Sequence, residues 1–270
     1  MIFATNIIIN DCLTLNEIIM NTFNIFKSLH HQENPLLLAN VWDAHSAKLA
    51  QQAGYKALGS SSHAIANSLG FEDGENISVE ELLFVIKHIK NVAKIPLSVD
   101  FEAGYSEDPE QVAQYVKQLV EIGVVGINLE DGIVKNGKRI LGNSELLAEK
   151  IKAIKATTTV FINARIDTYT TQHSDSLNES ISRATIYKAA GADGIFIPLL
   201  QDTDILNFTS RVDLPLNVFA TPQLPDYKSL QKLGVKRISH GAKQYELLMK
   251  KSEEIFNEFM QTKDYKLVLG

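Results

Sequence analysis

From Pro35 onward, short apolar runs alternate with longer segments of helical periodicity. A short apolar run that ends in turn-forming or polar residues is typical of a buried strand. The segments between the runs are predicted to be amphipathic helices, and one of them begins with Asp108 as a cap and Pro109 at its first helical position. The runs predict eight strands, at residues 36–40, 57–60, 97–100, 126–129, 160–164, 194–198, 216–220 and 237–240.

Glycines recur just before the predicted strands, where they suit the ends of the preceding helices. They are Gly54, Gly123, Gly191 and Gly234. Eight strand–helix units with nearly continuous apolar strands predict a parallel (β/α)8 barrel of the TIM type. An open, doubly wound sheet is the alternative. No glycine-rich fingerprint follows the first strand, so a dinucleotide site has no support.

The repeating pattern assigns residues 23–270 to a single barrel domain and residues 1–22 to an N-terminal extension. Cys12 is the one cysteine of the chain, which excludes an intramolecular disulfide and is consistent with a reducing compartment. No apolar stretch approaches the roughly 20 residues needed to span a membrane, and the N-terminus lacks the features of a secretory signal. We therefore expect a cytoplasmic protein without a membrane partner.

Charge narrows the class of ligand. The net charge is -6 over 270 residues, and no basic run or aromatic–basic platform is present. These features argue against a nucleic-acid surface and favour small-molecule chemistry.

Carboxylates stand where two of the predicted strands end. Asp100 and Glu102 follow one apolar run, and Glu130 ends the next. Chemistry in a barrel lies at the C-terminal ends of the strands, where these acids would converge and repel one another unless a cation neutralises them. Oxygen ligands favour Mg2+, with Mn2+ as the other candidate. The competing interpretation is solvated strand ends paired with lysines.

Other strand ends carry groups suited to an anionic substrate. Arg165 can bind a substrate carboxylate in a bidentate manner, although it could instead pair with Asp167. Hydroxyl and backbone N–H groups of Ser60, Ser61 and Ser62 are suited to carboxylate or phosphonate oxygens. Trp42 and Asp43 end the first strand and are predicted to line the same pocket. His63 and His240 also lie at strand ends, where a lone histidine is more often structural.

Six motifs occur in order between about Asn24 and Met260. They are Ala-Asn-Val-Trp-Asp at 39–43, Gly-Ser-Ser-Ser at 59–62, Leu-Gly-Phe-Glu-Asp-Gly at 69–74, Asp-Phe-Glu-Ala-Gly-Tyr at 100–105, Asn-Leu-Glu-Asp at 128–131 and Asn-Ala-Arg-Ile-Asp at 163–167. Together they resemble the phosphoenolpyruvate mutase and isocitrate lyase superfamily. The resemblance implies a (β/α)8 barrel, a last helix that packs on a neighbouring subunit of a homodimer or homotetramer, and Mg2+-dependent cleavage or formation of C–C or P–C bonds next to a 2-oxo acid.

The resemblance also implies roles for individual residues. Asp100 would bind the metal directly, while Glu102 and Glu130 would act largely through metal-bound water. Residues 60–62 would hold the substrate carboxylate, and Arg165 would contact the substrate. Asp73, which periodicity alone would place in a surface loop, matches the aspartate of a mobile loop in the mutase.

Differences between this sequence and the family motifs reduce the number of reactions that the chain is expected to catalyse. The segment 132–142 lacks the cysteine with which lyases of the superfamily supply a proton, and it does not clearly reproduce the gate of the mutase. Pro198 and Leu199 stand where the mutase has a histidine. The expected function is therefore Mg2+-dependent lysis or hydrolysis of a C–C bond in a small 2-oxo or 2-hydroxy dicarboxylate, through an enolate. The alternatives are P–C bond chemistry, as in a phosphonopyruvate hydrolase or a carboxyphosphonoenolpyruvate mutase, and a non-catalytic barrel that binds a 2-oxo acid.

Overall fold

The structure, a computed structural model, describes residues 14–135 and 137–269. Its strands are β1 Leu36–Leu37, β2 Ala39–Val41, β3 Leu58–Ser60, β4 Leu97–Asp100, β5 Gly126–Glu130, β6 Gly132–Lys135, β7 Lys138–Leu141, β8 Phe161–Arg165, β9 Gly194–Ile197, β10 Leu216–Phe219 and β11 Val235–Ser239. Its helices are α1 Leu15–Leu29, α2 Ala44–Gln52, α3 Ser62–Ser68, α4 Val79–Val92, α5 Pro109–Glu121, α6 Ser144–Thr157, α7 Ser176–Ala190, α8 Asp202–Arg211, α9 Tyr227–Lys232, α10 Lys243–Thr262 and α11 Lys266–Leu269.

The main sheet is parallel and returns on itself. Its strand order is β1-β11-β10-β9-β8-β5-β4-β3-β2. β1 pairs with β11 and β2 with β3, while the N–H of Leu38, which lies between β1 and β2, donates to the carbonyl of Ile238 at 3.0 Å. β1 and β2 are thus two halves of one strand, and the predicted (β/α)8 barrel is confirmed with a strand in each of the eight predicted places.

Local signals set the helix boundaries as the sequence predicts. The Asp108 carboxylate accepts from the N–H of Glu110 at 3.0 Å, and Pro109 opens α5. Gly191 ends α7 with a φ of 110°, a left-handed conformation that glycine adopts without a Cβ penalty. Helix α5 lays its apolar stripe on the outer face of the barrel, and this stripe includes Val112, Val116 and Leu119, all fully buried.

Helix α1 closes the amino-terminal end of the barrel. The ring of Phe26 is fully buried and meets Phe161, the first residue of β8, edge-on at 5.4 Å between centroids. The ring of His30 stacks on Phe161 at 4.2 Å between centroids and meets Phe26 edge-on at 4.7 Å. A Cβ at Gly126 would lie 2.5 Å from the Phe26 ring, so glycine at that position makes room for the helix. The core of the barrel is thereby sealed opposite the carboxyl ends of the strands.

The predicted boundary between residues 22 and 23 falls inside α1. Cys12 and the rest of residues 1–13 lie outside the described residues. The division into an extension and a barrel domain therefore stays a prediction.

Residues 132–142, expected to be a loop, contain an antiparallel hairpin. β6 and β7 pair from Gly132 with Leu141 to Lys135 with Lys138. The hairpin follows β5 directly and stands over the carboxyl end of the barrel. Asn136-Gly137, a dipeptide that is the strongest short-range signal for a tight hairpin turn, could have revealed it.

No helix in the described part of the chain is long and apolar enough to cross a membrane.

The plug formed by α1 can be tested with Phe26→Ala. Loss of this fully buried ring leaves a cavity at the base of the barrel, so we expect a loss of about 3–5 kcal/mol in the free energy of unfolding, measured by urea denaturation. The control is Ile25→Ala on the same helix, because the Ile25 side chain is exposed and should contribute within about 0.5 kcal/mol. Equal losses in the two variants would contradict the plug.

Candidate active site

Asp100, at the end of β4, is held by groups from three other segments. Its backbone N–H donates to Ser60 Oγ at 2.9 Å, and the Ser62 hydroxyl donates to Asp100 Oδ2 at 2.9 Å. The amide of Asn128, on β5, donates to Asp100 Oδ1 at 3.3 Å. These donors orient the carboxylate.

A buried polar layer inside the barrel supports Asn128. Its Oδ1 accepts from Asn163 Nδ2 at 2.9 Å and from Arg237 Nη2 at 3.2 Å, so its amide N–H group faces Asp100. Arg237 is 2% exposed, and burial lowers its pKa to about 9 while the charge of Asp100 opposes that shift. The barrel interior therefore presents a positive charge beneath the acids.

Glu102 lies two residues past the end of β4, in a strained turn. Its φ is 47°, and the φ of Tyr105 is 60°, a region that side chains other than glycine rarely occupy. Glu102 Oε1 accepts from the Tyr105 hydroxyl at 3.1 Å, and Oε2 accepts from the N–H of Glu75 at 2.9 Å. Burial raises the pKa of Glu102 to about 9, and repulsion from Asp73, Glu130, Asp100 and Glu75 adds to the shift.

Glu130, at the end of β5, belongs to a closed ring of four charged side chains. Arg139 Nη1 donates to Glu130 Oε1 and, at 2.9 Å, to Asp167 Oδ2. Arg165 Nη1 lies 2.9 Å from Glu130 Oε2, and its Nε and Nη2 donate to Asp167 Oδ1 at 3.0 and 2.9 Å. Burial alone would raise the pKa of Asp167, but Arg165 and Arg139 lower it overall. We call Glu130, Arg139, Arg165 and Asp167 the ion ring.

The ion ring rests on Asp131. Asp131 Oδ1 accepts from the N–H of Asp167 at 2.9 Å, while Oδ2 accepts from Tyr187 at 2.6 Å and from Arg183 at 3.0 Å. The carbonyl of Asp131 also accepts from the N–H of Gly142 at 2.7 Å, just past the hairpin. Asp131 therefore fixes the segment just after β8 through its carboxylate and the base of the hairpin that carries Arg139 through its backbone carbonyl.

The three serines at the end of β3 have different partners. Ser60 and Ser62 contact Asp100, whereas Ser61 caps α3 by accepting from the N–H of Ala64 at 3.3 Å. The hydroxyl of Ser62 also contacts Asp73 Oδ1 at 3.2 Å. Asp73, predicted from periodicity to lie in a surface loop, is thus brought to Asp100 through Ser62.

Trp42 and Asp43 lie farther out. The Trp42 ring packs edge-on against Tyr245, at the start of α10, with 5.3 Å between centroids. Asp43 is exposed and caps α2 by accepting from the N–H of Ser46 at 2.6 Å. Their roles in substrate binding stay predictions. His63 lies 3.7 Å from Asp73, and His240 exchanges contacts with Asn40, which favours structural roles for both histidines.

The donor set fits a hard divalent cation. Asp100, Glu102 and Glu130 supply only oxygen ligands, and burial together with repulsion from neighbouring acids raises the pKa of Glu102. Within residues 14–135 and 137–269, no three His, Cys, Asp or Glu side chains are arranged to hold an ion as they stand. The pairing of Glu130 with two arginines accounts for this, since its two oxygens face Arg139 and Arg165.

Arg139 is the site residue that the sequence analysis missed. It stands beside Lys138 in a segment without an apolar strand run, so the sequence analysis names only Arg165 as a cation of the site. Strand alternation within a predicted hairpin would have separated an inward Arg139 from an outward Lys138. No local pattern indicates that Arg139 reaches Asp167, 28 residues away.

Comparisons with known proteins agree with this geometry. The family model described as phosphoenolpyruvate phosphomutase matches residues 26–260. An uncharacterised protein of Mycobacterium tuberculosis is 38% identical over 229 residues, covering 82% of this chain and 83% of that protein. The 2-methylisocitrate lyase of Escherichia coli K12 is 27% identical over 258 residues, which cover 90% of this chain and 86% of that protein. The crystal structure of a candidate phosphonomutase from Burkholderia cenocepacia J2315 matches with a TM-score of 0.82 and 36% identity. The match covers 88% of this chain and 99% of that chain.

The pKa of Glu102 generates a pH prediction. Unfolded glutamate ionises near pH 4.5, whereas folded Glu102 stays protonated to about pH 9. The folded state therefore binds the extra proton between these values, and stability falls as the pH rises through that window. In EDTA, we expect Glu102→Gln to flatten this loss, by a few kcal/mol at pH 8, in urea titrations. Glu107→Gln, at an exposed position nearby, is the control, and an unchanged slope in Glu102→Gln would contradict the assignment.

Proposed function

The chain belongs to the phosphoenolpyruvate phosphomutase family, within the phosphoenolpyruvate mutase and isocitrate lyase superfamily of enzymes, and on that premise we propose that it breaks a C–C bond in a small 2-oxo or 2-hydroxy dicarboxylate. The reaction would depend on Mg2+, with Mn2+ as the other candidate, and would pass through an enolate. The observation that carries the proposal is the meeting of three acids, Asp100, Glu102 and Glu130, with Arg165 at the carboxyl end of one barrel.

Asp100, Glu102 and Glu130 would hold the cation. When bound, it would polarise the 2-oxo group of the substrate and favour negative charge on that oxygen. Asp100 suits direct contact with the ion, because Ser62 and Asn128 orient its two oxygens.

Side chains of the protein would bind the substrate and stabilise the charge that develops on it. Arg165 is held rigidly by Asp167 through Nε and Nη2, while its Nη1 faces Glu130 and so points toward the acids. A guanidinium fixed in this way can bind a substrate carboxylate and offset the negative charge that develops as the bond breaks. Ser60 to Ser62 would hold the substrate carboxylate; the hydroxyls of Ser60 and Ser62 contact Asp100, and Ser62 joins Asp73 to it.

P–C bond chemistry is the second candidate. It needs cationic groups around the transferred phosphoryl group, and Arg139 adds a guanidinium to Arg165. The candidate phosphonomutase at 36% identity also favours it. The hairpin segment contains no cysteine, so a lyase mechanism that draws its proton from that residue is not proposed.

We also propose a homodimer or homotetramer in which α10 packs on a neighbouring subunit. Apart from Tyr245, whose ring is buried against Trp42, the large apolar side chains of α10 are exposed or only partly buried. Met249, Phe256 and Met260 share one face of the helix and are 43%, 69% and 65% exposed. An apolar face of this size on a long helix suits a partner surface.

The proposed reaction predicts metal-dependent turnover of one compound in a panel. The panel contains oxaloacetate, 2-methylisocitrate, dimethylmalate and phosphonopyruvate, each assayed with Mg2+ and with EDTA for release of pyruvate or oxalate. We expect activity with Mg2+ only, and a loss of about 100-fold or more in Asp100→Ala. Asp108→Ala, which removes a helix cap away from the site, is the control. Turnover in the presence of EDTA would contradict the proposal. The identity of the compound that is consumed distinguishes C–C from P–C cleavage.

The proposed interface predicts a change in mass for Phe256→Glu. A charge on the exposed face of α10 should disfavour burial against a neighbour, so light scattering should show smaller particles than the wild type. Glu253→Lys, a charge change at another exposed position of α10, should retain the wild-type mass. A monomeric wild-type protein would contradict the interface.

A further inference from the structure

Arg139 reaches the site by strand alternation in the hairpin. Within β7, Lys138 and Ile140 are exposed, whereas the side chain of Arg139 is only 21% exposed and points toward the barrel. The hairpin therefore delivers one cation inward and leaves its lysines in solvent.

Gly132 makes this approach possible. A Cβ at position 132 would overlap Asp167 Oδ2 and lie 2.8 Å from Arg139 Nη1. Glycine at the first residue of β6 thus keeps open the space in which the guanidinium of Arg139 meets Asp167. The contact is built into the backbone of the hairpin as well as into its side chains.

Arg139 and Arg165 are held with unequal strength. Arg165 contacts Asp167 through two nitrogens and Glu130 through a third. Arg139 uses the single atom Nη1 for both carboxylates, and its Nε and Nη2 make no hydrogen bond with residues 14–135 or 137–269. If Glu130 changes partner, Arg139 keeps one contact through one nitrogen and is the easier of the two to redirect.

A divalent cation competes with both arginines for Glu130. Because it carries twice the charge of a guanidinium, it is the stronger partner for a buried carboxylate. Engagement of Glu130 by the cation would release one donor from each arginine on the side that faces the acids. The positive charge that offset Glu130 would then be available to an anion.

We propose that Arg139 is a substrate-binding residue, which pairs with Glu130 until a divalent cation takes that carboxylate and then binds the anionic group at the far end of the substrate. The inference rests on the proposed function and deepens it. Arg165 binds the end next to the cation, while Arg139 selects substrates with a second anionic group, a carboxylate or a phosphonate. Cation binding and recognition of the second anion are coupled through Glu130.

The test compares matched ligands by calorimetry in the presence of Mg2+. Malate and lactate differ by a carboxylate at the far end, and phosphonopyruvate and pyruvate differ by a phosphonate. We expect wild type to prefer the dianion in one of the pairs, which also identifies the anionic group. Arg139→Gln should bind that dianion about 10- to 100-fold more weakly and its monoanionic partner within about twofold. Lys138→Gln, at the outward neighbour, should behave as wild type.

Mg2+ titration without an organic ligand is the second readout. Arg139→Gln removes the competitor for Glu130, so it should bind Mg2+ as tightly as wild type or more tightly. Arg139→Lys retains the charge but lacks the planar guanidinium with its several N–H donors. Its affinity for the dianion should therefore lie between those of wild type and Arg139→Gln. This variant guards against misfolding of the glutamine variant.

The opposite directions of the two effects separate binding from a structural role. If Arg139→Gln weakened Mg2+ and both members of each ligand pair alike, or if wild type preferred neither dianion, the inference would be overturned. A wild-type protein that binds no Mg2+ would overturn the proposed function as well. Wild-type Mg2+ binding with an unchanged dianion affinity in Arg139→Gln would overturn the role of Arg139 alone.

Discussion

Repulsion among buried carboxylates is the constraint on which the carboxyl end of this barrel depends. Asp100, Glu102, Glu130 and Asp167 lie at or just beyond the ends of three strands, and burial penalises the charge of Glu102, Glu130 and Asp167. The structure compensates part of that charge with Arg139 and Arg165 and leaves Glu102 with a raised pKa. An arrangement of this kind is costly for stability, and a site for a cation and an anionic substrate gives it a purpose.

The residues that hold the acids in place and the arginine that can change partners lie on different sides of the site. Below the acids, Asn128, Asn163 and Arg237 form a buried polar layer that orients Asp100, and α1 closes the opposite end of the barrel. Beside them, Asp131 ties β8 and the base of the hairpin to α7 through Tyr187. Above them, Arg139 stands on a short hairpin and is held through a single nitrogen. The groups that would bind the cation are thus fixed from beneath, while the groups that would bind the anion approach from the side.

Arg165 shows which part of a site residue's role can be predicted from the sequence around it. Its place after an apolar strand predicted a guanidinium at the active end of the barrel, and two interpretations were open, substrate binding and pairing with Asp167. The structure contains the pairing with Asp167 and adds Glu130. Pairing and substrate binding are compatible, because the bidentate contact with Asp167 aims the remaining nitrogen at the acids.

The sequence by itself determined the barrel, its eight strands and the strand ends that carry acids and Arg165. Those features follow from apolar runs, proline and glycine positions and alternation, all of which reflect local backbone preference and burial. Only the tertiary structure decided that the β6–β7 hairpin lies over the site, that Arg139 reaches Asp167, and that Ser62 joins Asp73 to Asp100. These contacts depend on strand stagger and on the space left at Gly132, and residues far apart in sequence carry no local record of either.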